Sequence, residues 1–503
     1  MKTNKAYYIL LILLGFTSCD SFLKDFSQDL SYANNVNDLS ELLAGDGYAN
    51  TAGEFYGDIN LNFIHFMDDD IGYMVINNPA NVVASPFYYW VKQPFTTISG
   101  QPTKDPAWKW FYKKIGTLNA IIAKVEDFKS DDEKGYNKIK GEALFLRAYY
   151  YFWLVNVYAK PYSVENASKD PGVPLKLTEK VEDKHYSRAT VEEVYTSVTN
   201  DLRNAAICLQ GIQQPSIYRA NETAAHLLLS RVYLYMNQWE LVLDECEKAL
   251  QGGYELLNFD NLTEESSATN SSSPEIIFSM GENQVSTSMS PIMLNFDRYS
   301  KPKGAYHASQ SLIDEYTEAK DLRPSIFFIY PTKKHIPLCQ KLKEDDSNVV
   351  SDRFLLRLPE VYLNQAEAYA QLDRTGESIA SLQKLRANRF AEKDAGNITE
   401  TGKKLVEFTR SERRRELCFE AHRWFDLRRY AVDSKYPESH PISHAYYEWD
   451  LTSASVALRG HYVLGTYPED TGAYMLPIPD YAIIFNDGAL VPNEERKDRT
   501  YNN

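Results

Sequence analysis

The sequence predicts a mostly α-helical fold, a scaffold of paired helices with a large irregular side, on three observations. Apolar residues recur three, four and seven positions apart through about 105–252 and 353–430. Several of these stretches open on a readable helix-start signal. Between and around them lie 46–104, 258–309 and 432–474, too long for ordinary connectors and too rich in Tyr, Phe and Trp for disorder.

In chain order, Asp105–Phe128 and Asp132–Tyr158 make the first helix pair. Thr190-Val191-Glu192-Glu193 is a capping box, in which threonine and glutamate satisfy backbone amides that the helix leaves free. Behind it Val191, Val194, Tyr195, Val198, Leu202 and Leu209 form one buried face. From Thr223 to Leu250, Leu229, Tyr233, Trp239 and Ala249 stand at tetratricopeptide-like offsets, with a break near Asn237-Gln238. The match is imperfect: His226, Ser230 and Val242 replace the common tryptophan, glycine and alanine. A related pair covers Phe354–Leu372 and Gly376–Arg389, with Ala366, Ala368 and Tyr369 between its helices. A final helix is expected over about Leu405–Tyr430. Stacked pairs of this kind bury a continuous core and more often carry binding than catalysis.

At the N-terminus Lys2 and Lys5 precede the apolar run Ala6–Phe16 and then Thr17-Ser18-Cys19. The run is shorter than the roughly 20 apolar residues that span a bilayer. It suits a secretory signal over 1–18, with 19–503 expected as one domain. A cysteine directly after small residues marks a bacterial lipoprotein in which Cys19 carries the lipid, although Phe16 replaces the usual leucine. An ordinary secreted protein is the alternative.

Formal net charge is −15, and loss of the signal lysines takes it to about −17. That argues against nucleic acid, whose phosphates need Lys and Arg, and against a basic patch for anionic lipid. Cys208, Cys246, Cys339 and Cys418 contain no C-x-x-C pair and are expected to be buried thiols.

Glu412, Glu416 and Glu420 recur every four residues among Arg413, Arg414, Arg415, Arg423 and Asp426. Paired carboxylates can hydrolyse glycosides, but carboxylates interleaved with arginines on one helix favour ion pairs. There is no G-x-S-x-G elbow, H-E-x-x-H helix or glycine-rich phosphate loop. No catalytic residue, cofactor or metal is expected. His226 and His422 read as packing residues. Asp68-Asp69-Asp70 lacks the alternating spacing of a calcium loop, so a solvated turn or helix cap is expected there. The aromatic loops carry the binding expectation: Tyr73, Asn77, Asn78, Tyr88 and Trp90 in the first, Asn295, Phe296 and Tyr299 in the second. Rings stack on sugar faces while amides bond hydroxyls, and the same groups hold extended peptides. The alternative is that Tyr88-Tyr89-Trp90 is core.

Several motifs together resemble the SusD/RagB family of outer-membrane lipoproteins. They include Asp20-Ser21-Phe22-Leu23, Gly141–Phe152, Pro171–Leu175, Arg188–Tyr195, Arg357–Ala370, Glu412–Arg429 and Leu476-Pro477-Ile478-Pro479. Ala421 stands where the family normally has glycine, and Asn486-Asp487 replaces Asn-Pro. The resemblance runs in family order along essentially the whole chain. It implies a helical fold with four tetratricopeptide-like units and a variable loop-rich side. It also implies a nutrient-binding protein on the cell exterior, seated over a SusC-like TonB-dependent β-barrel that imports its ligand. Oligosaccharides are the expected ligand, with peptides the alternative and a surface glycan hydrolase the rival from another class.

Overall fold

The computed structural model describes residues 33–49, 61, 63–75, 86–96, 101–263, 266–283, 285, 304–330, 336–342, 350–450, 452–453 and 455–502. Its helices are α1 (Val36–Leu42), α2 (Pro106–Lys124), α3 (Glu133–Tyr158), α4 (Val191–Leu209), α5 (Glu222–Tyr235), α6 (Trp239–Leu250), α7 (Leu358–Gln371), α8 (Thr375–Arg386), α9 (Lys403–Leu417), α10 (Arg423–Ala431) and α11 (Asp480–Phe485), besides shorter turns.

The starts follow local chemistry. Asp105 caps α2 by accepting the Ala107 N–H, with Pro106 at the first helical position, where no amide is needed. Asp132 caps α3 through the Gly135 N–H, Asn221 caps α5 through Ala224, and both halves of the Thr190/Glu193 box are formed on α4. Left-handed residues make the turns inside the two helix pairs: Asn237 (φ 58°) between α5 and α6, and Asp373 (φ 59°) between α7 and α8. Asn and Asp tolerate that conformation better than most side chains.

Successive helices from α2 to α6 pack on one another, and α7 then joins α6, α8 and α9. The centre is α3, buried on every side from Ala143 to Tyr158, as a helix apolar all round must be. Its close approach to α4 needs Gly141: a Cβ there would lie 2.6 Å from Leu209 Cγ.

Among the described residues four antiparallel two-stranded pieces accompany the helices. Strand β1 (Ile71–Val75) pairs with β3 (Gly304–Ala308), running from Ile71↔Ala308 to Val75↔Gly304. Strand β2 (Ile276–Ser279) pairs with β6 (Leu355–Arg357), and β4 (Phe328–Ile329) with β5 (Leu338–Cys339). The longest piece is the hairpin of β7 (Ile442–Asp450) and β8 (Ser455–Leu464), inside a stretch expected to be irregular. A bulge between Tyr446 and Tyr447 interrupts its alternation and hides the strand from pattern reading. The main apolar core fills α1 to α7 and α10, a second lies beneath the loop segments, and a third sits among α7, α8 and α9.

The expected single helix over 405–430 is corrected. It is two helices, α9 and α10, joined by an elbow at 418–422 in which Phe419 (φ 64°) and Ala421 (φ 57°) are left-handed. Among the described residues Cys208 is half-buried, Cys246, Cys339 and Cys418 are buried, and all four are free thiols. No helix there is long and apolar enough to cross a membrane.

Candidate functional site

Two polar constructions compete for the description of functional site. The first is the charge series running from Glu412 through the elbow into α10, which is buried apart from a half-buried Arg423. Glu412 accepts from Arg323 (2.7 Å), Arg386 (2.7 Å) and Arg415 (2.6 Å). Glu416 accepts from Arg357 (2.7 Å) and doubly from Arg389 (3.0 Å each). Glu420 takes two bonds from Arg357 at 2.8 Å and pairs with Lys341. Asp426 bridges Arg413 (2.9 Å) and Arg429 (2.7 Å), and Arg429 doubly engages Glu367 at 2.7 Å.

Burial opposes ionisation of Glu412, Glu416 and Glu420, but the surrounding guanidiniums outweigh it and hold all three below the usual carboxylate range. A general acid needs a proton to give and a nucleophile needs a free lone pair. These carboxylates are ionised and saturated with donors, which makes them structural members.

The Asp68–Asp70 turn belongs to the same construction, and the expected solvated turn is corrected. Asp68 and Asp70 are buried, while Asp69 accepts from Arg423 at 2.6 and 2.8 Å. Arg414 bonds Asp70 at 2.7 Å. The turn therefore ties the first loop to both helices that flank the elbow.

The second construction is an aromatic face built from the 66–75 and 86–96 segments, β3, the β7–β8 hairpin and the C-terminal stretch. The His444 ring is sandwiched between Tyr88 (centroids 3.9 Å, 10°) and Trp90 (4.2 Å, 21°). Its nitrogens face the carbonyls of Tyr88 (2.6 Å) and Asp68 (2.9 Å), and Trp90 Nε1–H donates to Met67 O at 2.9 Å. Around this sandwich Tyr306 stacks on Phe66 (4.1 Å, 13°) and lies against Tyr73 (5.1 Å). Tyr89 meets Tyr462 (4.4 Å), and Tyr446 stacks on Tyr501 (4.8 Å, 27°).

Of the expected ligand residues, Tyr73, Tyr88 and Trp90 come together here, but all are buried, and Trp90 has no exposed surface. As the protein stands, the Trp90 ring offers no face to a ligand. Tyr73 keeps a hydroxyl without a hydrogen-bond partner among the described residues, and burial pushes it up to about 12. Asn77, Asn78, Asn295, Phe296, Tyr299 and the lipid-site Cys19 lie outside the described residues. The ring surface that reaches solvent belongs instead to Tyr306, Tyr446, Tyr447 and Tyr462, which are half-buried, and to Tyr501, 38% exposed. Beside them the Tyr446 hydroxyl donates to Glu448 (2.8 Å), which also accepts from Arg459 (3.2 Å). None of these is among the ligand residues expected from the sequence; the pair Tyr446-Tyr447 inside a long aromatic stretch was the available signal.

A separate groove of about 780 Å³ opens between α4, α5 and α6, lined by Arg203, Ile207, His226, Tyr233, Leu241 and Lys248. Its polar groups are largely spent on one another: His226 faces Glu245 at 2.6 Å, and Arg203 donates to the Tyr233 hydroxyl at 2.9 Å.

Comparison with known proteins places this arrangement. A SusD-like family model described as starch-binding and associating with the outer membrane matches residues 65–234, and the SusD family model matches 278–494. The chain belongs to the SusD/RagB family. A SusD-like protein from Formosa agariphila is 22% identical over 501 residues, covering 85% of this chain and 90% of the relative. A solved SusD superfamily protein from Bacteroides thetaiotaomicron matches with a TM-score of 0.65 at 23% identity, over 92% of this chain and 98% of its own. A SusD-like carbohydrate binding protein from Bacteroides vulgatus gives 0.68 at 19% identity, over 90% and 97%.

Within this SusD/RagB chain, two departures from the family pattern acquire a physical meaning. Ala421, in place of glycine, adopts the left-handed backbone that glycine accepts freely. Asp487, in place of proline, is left-handed (φ 46°), a backbone that the proline ring forbids.

Proposed function

We propose that this protein is a cell-surface lipoprotein of the outer membrane, held by lipid on Cys19, that captures oligosaccharides without transforming them. It delivers them to a SusC-like TonB-dependent barrel. The observation that carries the capture reading is the aromatic face, where half-buried tyrosine rings are backed by a rigid sandwich and flanked by hydrogen-bonding side chains. Stacking on sugar rings needs flat apolar surface whose orientation is fixed before the ligand arrives. Membership of a family described as starch-binding and likeness to a carbohydrate binding protein from Bacteroides vulgatus support the same ligand class.

In this reading Tyr306, Tyr446, Tyr462 and Tyr501 supply ring contacts, together with the expected Phe296 and Tyr299. Asn77, Asn78 and Asn295 bond hydroxyls. Tyr88 and Trp90 act from behind, as supports. The saturation of Glu412, Glu416 and Glu420 by arginine supports capture over hydrolysis.

Calorimetry of residues 20–503 against purified glycans and peptide mixtures, with chromatography of the products, tests the proposal. Saturable binding of one glycan with no product is the expected result. Binding of peptides alone keeps the transporter role and replaces the ligand class, whereas released sugar overturns the non-catalytic reading.

A further inference from the structure

Both ring nitrogens of His444, at the centre of the aromatic face, meet acceptors. Nδ1 lies 2.6 Å from the Tyr88 carbonyl oxygen and Nε2 lies 2.9 Å from that of Asp68. The residue is buried, 3% exposed. A neutral imidazole has a single N–H, so its other nitrogen would turn a lone pair toward a carbonyl lone pair. In a site closed to water that forfeits a hydrogen bond with nothing to replace it. Only the imidazolium donates to both carbonyls.

The stacking favours the same state. His444 lies between Tyr88 (centroids 3.9 Å, 10°) and Trp90 (4.2 Å, 21°). The face of an aromatic ring attracts a cation within about 6 Å of its centre, most strongly where water is excluded. A charged His444 has such a face on each side.

The neighbouring charges supply a third observation. The Asp68–Asp70 turn sets three carboxylates against two guanidiniums. Arg423 engages Asp69 at 2.6 Å and Arg414 engages Asp70 at 2.7 Å, while His440 reaches Asp69 at 3.2 Å. Asp68 accepts the Asp70 N–H at 2.9 Å and forms no ion pair among the described residues. Burial, with Asp70 and Asp69 beside it, raises Asp68 well above the usual carboxylate range. The group thus favours one further proton, and His444 offers that proton two acceptors. The other groups around the ring leave this balance unchanged. Burial pushes the phenols of Tyr73 and Tyr88 up and keeps them neutral, and Arg499, which donates to Trp90 O at 2.6 Å, is matched by Asp470.

Burial opposes a charge on His444, and with only the two carbonyls and Asp69 set against it would hold the ring at about 4. The two ring faces and the lone-pair clash of the neutral form act against burial as well. We infer that His444 is an imidazolium in the folded protein at neutral pH, a positioning cation that pins the Asp68–Asp70 turn and the 86–96 segment to β7. Its charge is independent of any ligand; its effect on capture rests on the aromatic face being the ligand site. Loss of the proton releases one of the two carbonyls, and the Tyr88 and Trp90 rings lose their fixed spacing behind the platform. A histidine raised above its unfolded value of about 6.5 gives stabilisation that is fully present below that pH and lost as pH rises through the folded value.

Neutron diffraction from deuterium-exchanged crystals of the full-length chain, grown in detergent at neutral pH, tests the charge. Deuterons on both Nδ1 and Nε2 of His444 are expected, and a deuteron on one nitrogen alone overturns the inference. Glycan affinity reads the positioning role. It is expected to fall about tenfold as pH rises from neutral through the His444 transition. His444→Gln, which carries no charge, is expected to bind weakly at neutral pH and to be indifferent to the same rise. An affinity of the unaltered chain that does not move with pH overturns the positioning role. If His444→Gln does not fold, the neutron map and the pH profile of the unaltered chain decide. Absence of any glycan binding overturns the capture reading and the positioning role with it, while the neutron map still decides the charge.

Discussion

The α9–α10 core and the aromatic face are both buried, but they are ordered by different forces. In the core, five acidic side chains, Glu367, Glu412, Glu416, Glu420 and Asp426, share their oxygens among arginines and a lysine at fixed, directional geometry. On the face, Tyr73, Tyr88, Tyr89, Trp90 and His444 pack ring against ring, and the outermost rings keep part of their surface in water. Ion networks tolerate almost no substitution, because removing one partner strands the others. Ring clusters tolerate exchange at the rim while their centre stays fixed. The difference separates a region that sets the architecture from one whose rim can vary without altering it.

Acid is the broadest way to break the comparison. The five carboxylates of the core all have folded-state pKa values below their unfolded ones, so their stabilisation is present above about pH 4.5 and is lost as pH falls through the folded values. Asp105, which burial pushes up to about 6, acts in the opposite sense between about pH 4 and 6. Denaturant titrations from pH 6 down to about 3 should show the largest loss of stability of any change considered. A flat profile would mean the core is not held by its charges.

Glu416→Ala comes next. It leaves Arg357 and Arg389 short of a buried partner and should cost about 3–5 kcal/mol in chemical denaturation. On the aromatic side, Trp90→Ala removes a fully buried ring and should cost about 3 kcal/mol or more. Near-normal stability with lost binding would instead place that ring at the ligand. Tyr501→Ala sharpens the contrast, with a stability change below about 1 kcal/mol and glycan affinity reduced roughly tenfold in calorimetry, about 1.4 kcal/mol. The smallest effect belongs to the elbow. Ala421→Gly relieves a left-handed alanine, worth about 1 kcal/mol, against about 0.5 kcal/mol of added chain freedom. A slight rise in melting temperature is expected, and a fall would show that the methyl group packs usefully.

Much of the scaffold was legible in the sequence because its signals are local. The Thr190–Glu193 box, the Asp105 and Asp132 caps and the Asn237 turn each occupy a few neighbouring residues. The elbow was not legible, since neither Phe419 nor Ala421 is a residue that breaks helices by itself. That Glu416 forms ion pairs could be read from charge spacing, but not with whom: Arg357 and Arg323 lie 59 and 93 positions away. On the face, the exposed rings of the hairpin escaped notice because the bulge at Tyr446–Tyr447 breaks the period of two. Burial of Trp90 depends on His444, more than 350 positions along the chain, and no local pattern encodes such a meeting.

The composition of α9 bears on the chain before it folds. Nine of its fifteen residues are charged, although ten become buried in the finished structure. A core helix of ordinary apolar composition is a liability while the chain is extended, because apolar runs of five to seven residues recruit one another into intermolecular sheets. Lys403–Leu417 contains no such run. This largely buried helix is therefore at ease in water until its partners arrive, and the nascent protein carries one fewer aggregation-prone segment through the interval between synthesis and folding.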